Sequence, residues 1–151
     1  MTGHTTTVPA EYGAPITDVL AGAARRHGDR VALRHEDQEL SYAALYGRAC
    51  AVAHALRDAG VRPGEVVAVR LASGPAYPVG YYGILLAGAT ATPVSPMLTA
   101  DAARRQLVDC EAVAVLVEAD GDGLPGAADT GMLHGTAVRL ALVLGGTGDP
   151  V

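Results

Sequence analysis

The sequence predicts an α/β fold, a mostly parallel sheet with helices on its faces. Two short apolar runs, residues 66–69 and 113–117, are typical of strands buried on both faces, and such strands belong to parallel sheets. Segments with helical spacing of apolar residues lie before and between these runs. Strands that alternate with amphipathic helices favour right-handed crossovers. We therefore expect one layered domain, and 151 residues are enough to bury a core for it.

The first half of the chain predicts an arm, a helix, a hairpin and a second helix. Residues 1–15 are rich in Thr, Gly and Pro and predict a mobile arm before a domain at residues 16–151. A helix is expected from about Thr17, its cap, to His27, with Gly28 as its stop. Two short strands, residues 31–34 and 39–40, flank a polar turn. Ser41 is expected to cap the next helix, which Gly60 ends and whose apolar stripe consists of Leu45, Ala49, Val52, Leu56 and Ala59.

The second half continues the alternation after the strand at residues 66–69. Ser73 and Pro75 open a helix that Gly88 closes, and Pro78 moves its regular start towards Tyr77. The remaining predictions are a strand at residues 90–94, a helix from a Thr99 cap to Leu107, the strand at 113–117, a segment of little pattern at 121–135, and a last strand at 138–144.

Charge and composition exclude several functional classes. Sixteen acidic residues against eleven basic ones give a net charge of -5, which argues against partners such as nucleic acid or an anionic membrane surface. All basic residues are Arg, so no lysine amine is available for Schiff-base or phosphate chemistry. Cys50 and Cys110 follow no disulfide or zinc pattern. No leader or membrane-spanning run is found, and we expect a soluble cytoplasmic protein.

No residue is assigned a catalytic, cofactor-binding or metal-binding role. Residues 145–148 form a glycine-rich loop after a strand, but a phosphate cradle also needs a following helix, so we interpret them as a C-terminal tail. His54 is interpreted as a helix-surface residue rather than an acid–base catalyst. The other candidates also have structural interpretations: the histidines His4, His27, His35 and His134 lack metal-site spacing; Ser41, Ser73 and Thr99 are helix caps; Tyr77, Tyr81 and Tyr82 are core or interface residues; and the pairs Arg25–Arg26 and Arg104–Arg105 are solvated helix ends.

Two segments resemble the N-terminal part of proteins in the superfamily of acyl-CoA synthetases, adenylation domains and luciferases. The first comprises residues 41–45 and 55–68, and the second comprises residues 83–96 with the helix that follows. The similarity covers about residues 16–118. The amino-acid sequence of the second segment is more similar to those of fatty-acid and coumarate-type CoA ligases than to those of peptide-synthetase adenylation domains. Glu65 departs from the Asp that is usual in the superfamily after the turn glycine.

The resemblance implies an ATP-dependent activation of a carboxylic acid to an acyl-adenylate and then to an acyl-CoA, with ATP, Mg and CoA as cofactors. In the superfamily, the phosphate loop ending in Lys, the aromatic-Gly-Thr-Glu segment, the ribose-binding Asp and the lid with the catalytic Lys lie further along than residue 151. We therefore expect a truncated ligase-like protein that is not catalytic alone. Two alternatives stay open: a half-enzyme completed by a separately encoded remainder, and a non-catalytic module that binds another protein through an exposed apolar face.

Overall fold

The computed structural model describes residues 15–119 and 125–145. Helices and strands alternate through most of this part of the chain, which confirms the predicted α/β class. The elements are α1 (Ile16–His27), β1 (Val31–His35), β2 (Gln38–Ser41), α2 (Tyr42–Asp58), β3 (Val66–Arg70), α3 (Ala76–Leu86), β4 (Thr90–Pro93), α4 (Ala100–Asp109), β5 (Ala114–Glu118), α5 (Ala127–Gly131) and β6 (Leu140–Leu144).

The strands form a four-stranded parallel sheet in the order β4-β3-β5-β6 and a separate antiparallel hairpin of β1 and β2. Val67 of β3 lies opposite Ala91 on one side and Ala114 on the other, so β3 and β5 are the inner strands. Leu116 of β5 lies opposite Leu142 of β6. Among the described residues no strand pairs with the other edge of β6, which leaves that edge open.

Two apolar clusters cover opposite faces of the sheet, because successive side chains of a strand point to opposite faces. Val67 and Val69 of β3 pack with buried residues of α1, α2 and α3. Ala68 packs on the other face with buried residues of α4 and with Met132. The fully buried strand residues explain why β3 and β5 read as continuous apolar runs.

Close approach of α3 to its neighbours compensates for a sequence without Phe or Trp. A Cβ atom on Gly83 would lie 2.5 Å from Cγ1 of Val52 in α2, and one on Gly80 would lie 2.7 Å from Cδ1 of Leu116 in β5. Both contacts are closer than real Cβ atoms allow. Glycine at these two positions therefore lets α3 pack against both α2 and the sheet.

The predicted caps of α2 and α4 are confirmed. Ser41 Oγ accepts a hydrogen bond from the Ala44 N–H at 3.2 Å, and Thr99 Oγ1 accepts one from the Ala102 N–H at 3.3 Å. The prediction for α1 is wrong at its start. This helix begins at Ile16 with Pro15 at the cap position and no side-chain cap, so Thr17 lies inside the first turn.

Several other details differ from the sequence predictions. Ala59 lies beyond the end of α2 and is exposed, whereas the other four residues of the predicted stripe are buried. Pro78 is the third residue of α3, within the first turn, where its missing N–H loses no intrahelical partner. The helix begins at Ala76, one residue before the predicted start near Tyr77. A short helix, α5, falls within the segment predicted to have little pattern.

Residues 1–14, 120–124 and 146–151 lie outside the described residues, and with them the predicted arm, His4 and most of the glycine-rich loop. Over residues 15–119 and 125–145, no helix is both long and apolar enough to span a bilayer.

Candidate functional site

The sheet order creates a switch point between β3 and β5. From β3 the chain runs through α3 to β4 on one side, whereas from β5 it runs through α5 to β6 on the other. The two connections therefore leave neighbouring strands in opposite directions. In open parallel sheets, ligands bind in the crevice that such a reversal leaves outside the carboxyl ends of the strands.

A cleft of about 1000 Å³ lies at this carboxyl edge. Its walls are the loop between β3 and α3 at residues 73–75, the ends of β5 and β6, the turn of the β1–β2 hairpin and one side of α2. Apolar side chains contribute much of the lining, among them Leu40, Val52, Val79 and Leu142. Its position matches the ligand crevice of an α/β sheet, and its lining suits an apolar occupant.

Charged groups at the cleft are mostly acidic. Glu36, Glu39 and Glu118 accompany one arginine, Arg48, and His35. Glu39 is paired with an exposed arginine of β1 at 2.5 Å, and Glu118 Oε2 accepts the backbone N–H of Ala72 at 3.4 Å. Because Glu39 is paired in this way, Glu36 and Glu118 remain against the one guanidinium of Arg48, which makes the cleft unfavourable for a polyphosphate unless further cations are supplied.

The sequence predictions for individual candidates have different outcomes. Ser73 lies at the cleft but is no cap, because Pro75 holds the cap position of α3 and no side chain caps that helix. His54 is exposed on α2, in agreement with the surface interpretation. His27 is exposed and its ring centroid lies 6.4 Å from that of Tyr42. Within the described ranges, no three His, Cys, Asp or Glu residues come together as metal ligands.

The predicted tyrosine and cysteine environments can also be compared with the structure. Tyr77 and Tyr82 are partly buried and pack on the apolar cluster that contains Val67 and Val69, which confirms a core role for them. Tyr81 makes an edge contact with Tyr82 at a centroid distance of 5.8 Å. Cys50 is half-buried on α2 next to Tyr46, and its hydrogen bond raises the pKa of the Tyr46 hydroxyl.

Sequence reasoning did not single out Arg48, Glu118 or Arg70. The position of Glu118 at the end of a buried run could have indicated the carboxyl edge, because the ends of parallel strands meet there. Arg48 carries no such signal, since one polar residue on a helix is usually solvated. Arg70 ends the β3 run and is buried, which no local pattern indicates.

Residues 20–145 match the family of AMP-binding enzymes. The chain belongs to the AMP-binding enzyme family. It is 37% identical over 120 residues to pyochelin synthetase PchE of Pseudomonas aeruginosa, an alignment that covers 77% of this chain and 8% of that protein. It is 39% identical over 82 residues to gramicidin S synthase 2 of Brevibacillus brevis, with 54% of this chain and 2% of that protein covered.

Solved structures agree with this membership of the AMP-binding enzyme family. A benzoate CoA ligase from Burkholderia xenovorans LB400 superposes with a TM-score of 0.74 at 25% identity, covering 85% of this chain and 25% of that one. A putative long-chain-fatty-acid CoA ligase from Rhodopseudomonas palustris CGA009 gives a TM-score of 0.75 at 25% identity, with 89% and 34% covered. The chain thus spans a minor, N-terminal part of these adenylate-forming relatives, as the resemblance predicted. Synthetases and CoA ligases both appear among them, so the finer preference for CoA ligases stays a prediction.

Proposed function

We propose that this chain is the N-terminal scaffold of an adenylate-forming ligase and does not catalyse adenylation alone. The family reaction joins a carboxylate to ATP, giving an acyl-adenylate and pyrophosphate, and then transfers the acyl group to a thiol such as CoA. One observation carries the proposal. The chain matches the family over residues 20–145, yet its carboxyl-edge cleft holds three carboxylates, one arginine and no lysine.

Electrostatics support the non-catalytic part of this proposal. Splitting ATP requires cations and N–H donors arranged around the phosphates, because charge builds up there in the transition state. In the complete family reaction Mg and lysines directed at the ligand supply the compensating positive charge. This sequence contains no lysine at all. Arg48 does not offset both Glu36 and Glu118, and the guanidinium of Arg34 is already paired with Glu39.

The open edge of β6 supports a role as one part of a larger fold. All five side chains of Leu140–Leu144 are apolar and only half-buried, on both faces of the strand. Strands that are apolar on both faces normally lie inside a sheet, and an open apolar edge invites pairing. We propose that the rest of a ligase domain covers this edge and the cleft, in the same polypeptide or as a separately encoded partner.

A second candidate is a non-catalytic module that uses the same apolar surface to bind another protein. The same half-buried side chains of β6 favour it. The coding sequence that follows Val151 discriminates between the two candidates. A phosphate-loop sequence in frame, frame-shifted or in a neighbouring gene favours the ligase scaffold, and its absence there favours the module.

ATP–pyrophosphate exchange with the purified chain tests the proposal. We expect exchange at the level of a no-protein control with aromatic, aliphatic and amino acids as substrates, and a complete CoA ligase serves as the positive control. An Arg48→Ala variant prepared in parallel detects contamination, because a contaminating ligase would be equally active in both preparations. Exchange above background that falls in the Arg48→Ala preparation would overturn the proposal.

A further inference from the structure

Arg70 is the only charged side chain that is buried within residues 15–119 and 125–145. It is the last residue of β3, at the carboxyl edge of the sheet, and its side chain is 4% exposed. Removing a guanidinium from water is costly unless its N–H donors are satisfied. The partners of Arg70 therefore indicate what its burial achieves.

Three of these partners are backbone carbonyls of the loop between β4 and α4. Nη1 donates to the carbonyl of Ser95, and Nη2 donates to those of Pro96 and Leu98 at 3.2 Å each. Carbonyl oxygens that converge on one point repel one another, so this loop conformation needs a cation between them. A guanidinium suits the position, because its five donors lie in one rigid plane.

The fourth partner belongs to a different segment. Nε of Arg70 donates to Oδ1 of Asp129 at 2.7 Å, and the Asp129 side chain is 19% exposed. Asp129 lies in α5, the short helix between β5 and β6. One side chain thus joins β3, the loop at residues 95–98 and α5, although its partners lie 25 to 59 residues away in sequence.

We propose that Arg70 is a positioning residue: it specifies the conformation of residues 95–98 and holds α5 at the carboxyl end of β3. A buried ion pair contributes little net stability, because the desolvation penalty largely offsets the attraction. Conformational specificity is different, since an alternative arrangement of the loop would leave N–H donors of the buried Arg70 guanidinium without acceptors. We call Arg70 with its four hydrogen bonds the clamp. The clamp also fixes the conformation of the loop that carries Met97, which is 90% exposed. This inference is independent of adenylation.

Amide hydrogen exchange on single variants tests the clamp. Arg70→Met removes all four hydrogen bonds but keeps an apolar side chain of comparable length. We expect the amides of Met97 and Leu98 and those of residues 129–131 to exchange at least about tenfold faster, the change expected when bonds to a charged group are lost, while β3 and β5 stay protected. Asp129→Asn keeps the guanidinium, so we expect faster exchange in α5 and an unchanged loop.

Two further variants separate a clamp from a simple ion pair. The swap Arg70→Asp with Asp129→Arg restores opposite charges but puts an anion beside three carbonyls, so we expect no recovery of loop protection. Arg70→Lys keeps the charge without the planar fork and is expected to accelerate loop exchange by about tenfold. Asp101→Asn, in the exposed pair of Asp101 with Arg104, is the matched control and is expected to change nothing. Unchanged Met97 and Leu98 exchange in Arg70→Met or Arg70→Lys, or recovery in the swap, would overturn the inference.

Discussion

A single carboxylate joins two strands at the amino end of the sheet, opposite the cleft. Glu65 Oε2 accepts the backbone N–H of Arg62 at 2.7 Å and the guanidinium of Arg139 at 2.6 Å. Arg139 also donates to the carbonyl of Gly60 at 3.1 Å. These contacts connect the turn before β3 with the residue before β6. Glu65 therefore has a structural role in this turn, where the superfamily usually has Asp.

The Glu65 contacts predict a pH dependence of stability. The Arg62 N–H, and then Arg139, lower the pKa of the Glu65 carboxyl. Its contribution to stability is therefore present above the unfolded-state pKa of about 4.3 and is lost as the pH falls through the lowered folded value. We expect Glu65→Gln to lower the urea midpoint at pH 7 and to differ less from the unsubstituted protein at pH 3.

Asp37→Asn, at an exposed carboxylate in the hairpin turn, is the control for this experiment. It is expected to leave the urea midpoint nearly unchanged at both pH values. An equal loss of stability for Glu65→Gln at pH 7 and pH 3 would show that the carboxylate charge contributes nothing.

Residue-scale features were predictable where their causes are local in sequence. Ser41 and Thr99 cap helices through N–H groups three residues away, and both were predicted. Arg70 was missed because its partners are distant in sequence and include backbone carbonyls, which leave no trace in residue type. Ser73 looked like a cap, but Pro75 occupies the position that a cap would need.

The packing of α2 against α3 depends on a missing side chain. Gly83 faces Val52 and the carbonyl of Ala49, and a Cβ atom there would lie 2.5 Å from Val52 and 3.0 Å from that oxygen. The sheet contacts the other side of α3, so α3 has no room to move away from α2. The α2–α3 contact is therefore sensitive to the addition of a single methyl group.

We expect Gly83→Ala to destabilise the domain by about 1–3 kcal/mol, because it overpacks the α2–α3 contact. Gly47→Ala is the matched control, since Gly47 is an exposed glycine within α2 and a Cβ there meets no atom within 4 Å. That change should stabilise by about 0.5–1 kcal/mol through helix propensity. Urea unfolding at neutral pH measures both, and equal effects of the two substitutions would contradict the packing account.

At the scale of elements, the helical spacing of apolar residues and the continuous apolar runs predicted most helices and strands. The runs at β3 and β5 and the stripe of α2 follow directly from burial, which sequence records as apolar residues. The short helix α5 was missed because five residues of Ala, Asp, Thr and Gly carry no helical period. The start of α1 was placed too late because Thr17 is a common cap residue, whereas Pro15 holds the cap position.

The whole molecule combines a family fold with a cleft whose charged side chains are mostly acidic. Its sheet order and switch point place a cleft where α/β proteins bind ligands, and the family match covers residues 20–145. The class of fold was predictable because alternating strands and helices limit the topology. The cleft was not, because its walls come from five separate segments that only the folded chain brings together.

The central claim is that this chain supplies scaffold rather than the charge needed to split ATP, and product analysis at stoichiometric protein concentration tests it most directly. The chain is incubated with Mg, ATP and a carboxylic acid, and acyl-adenylate is measured by mass spectrometry. We predict none above a no-protein control, because no lysine and one cleft arginine leave the phosphates without compensation. Close to one equivalent of acyl-adenylate per chain, lost in Arg48→Ala, would contradict the account.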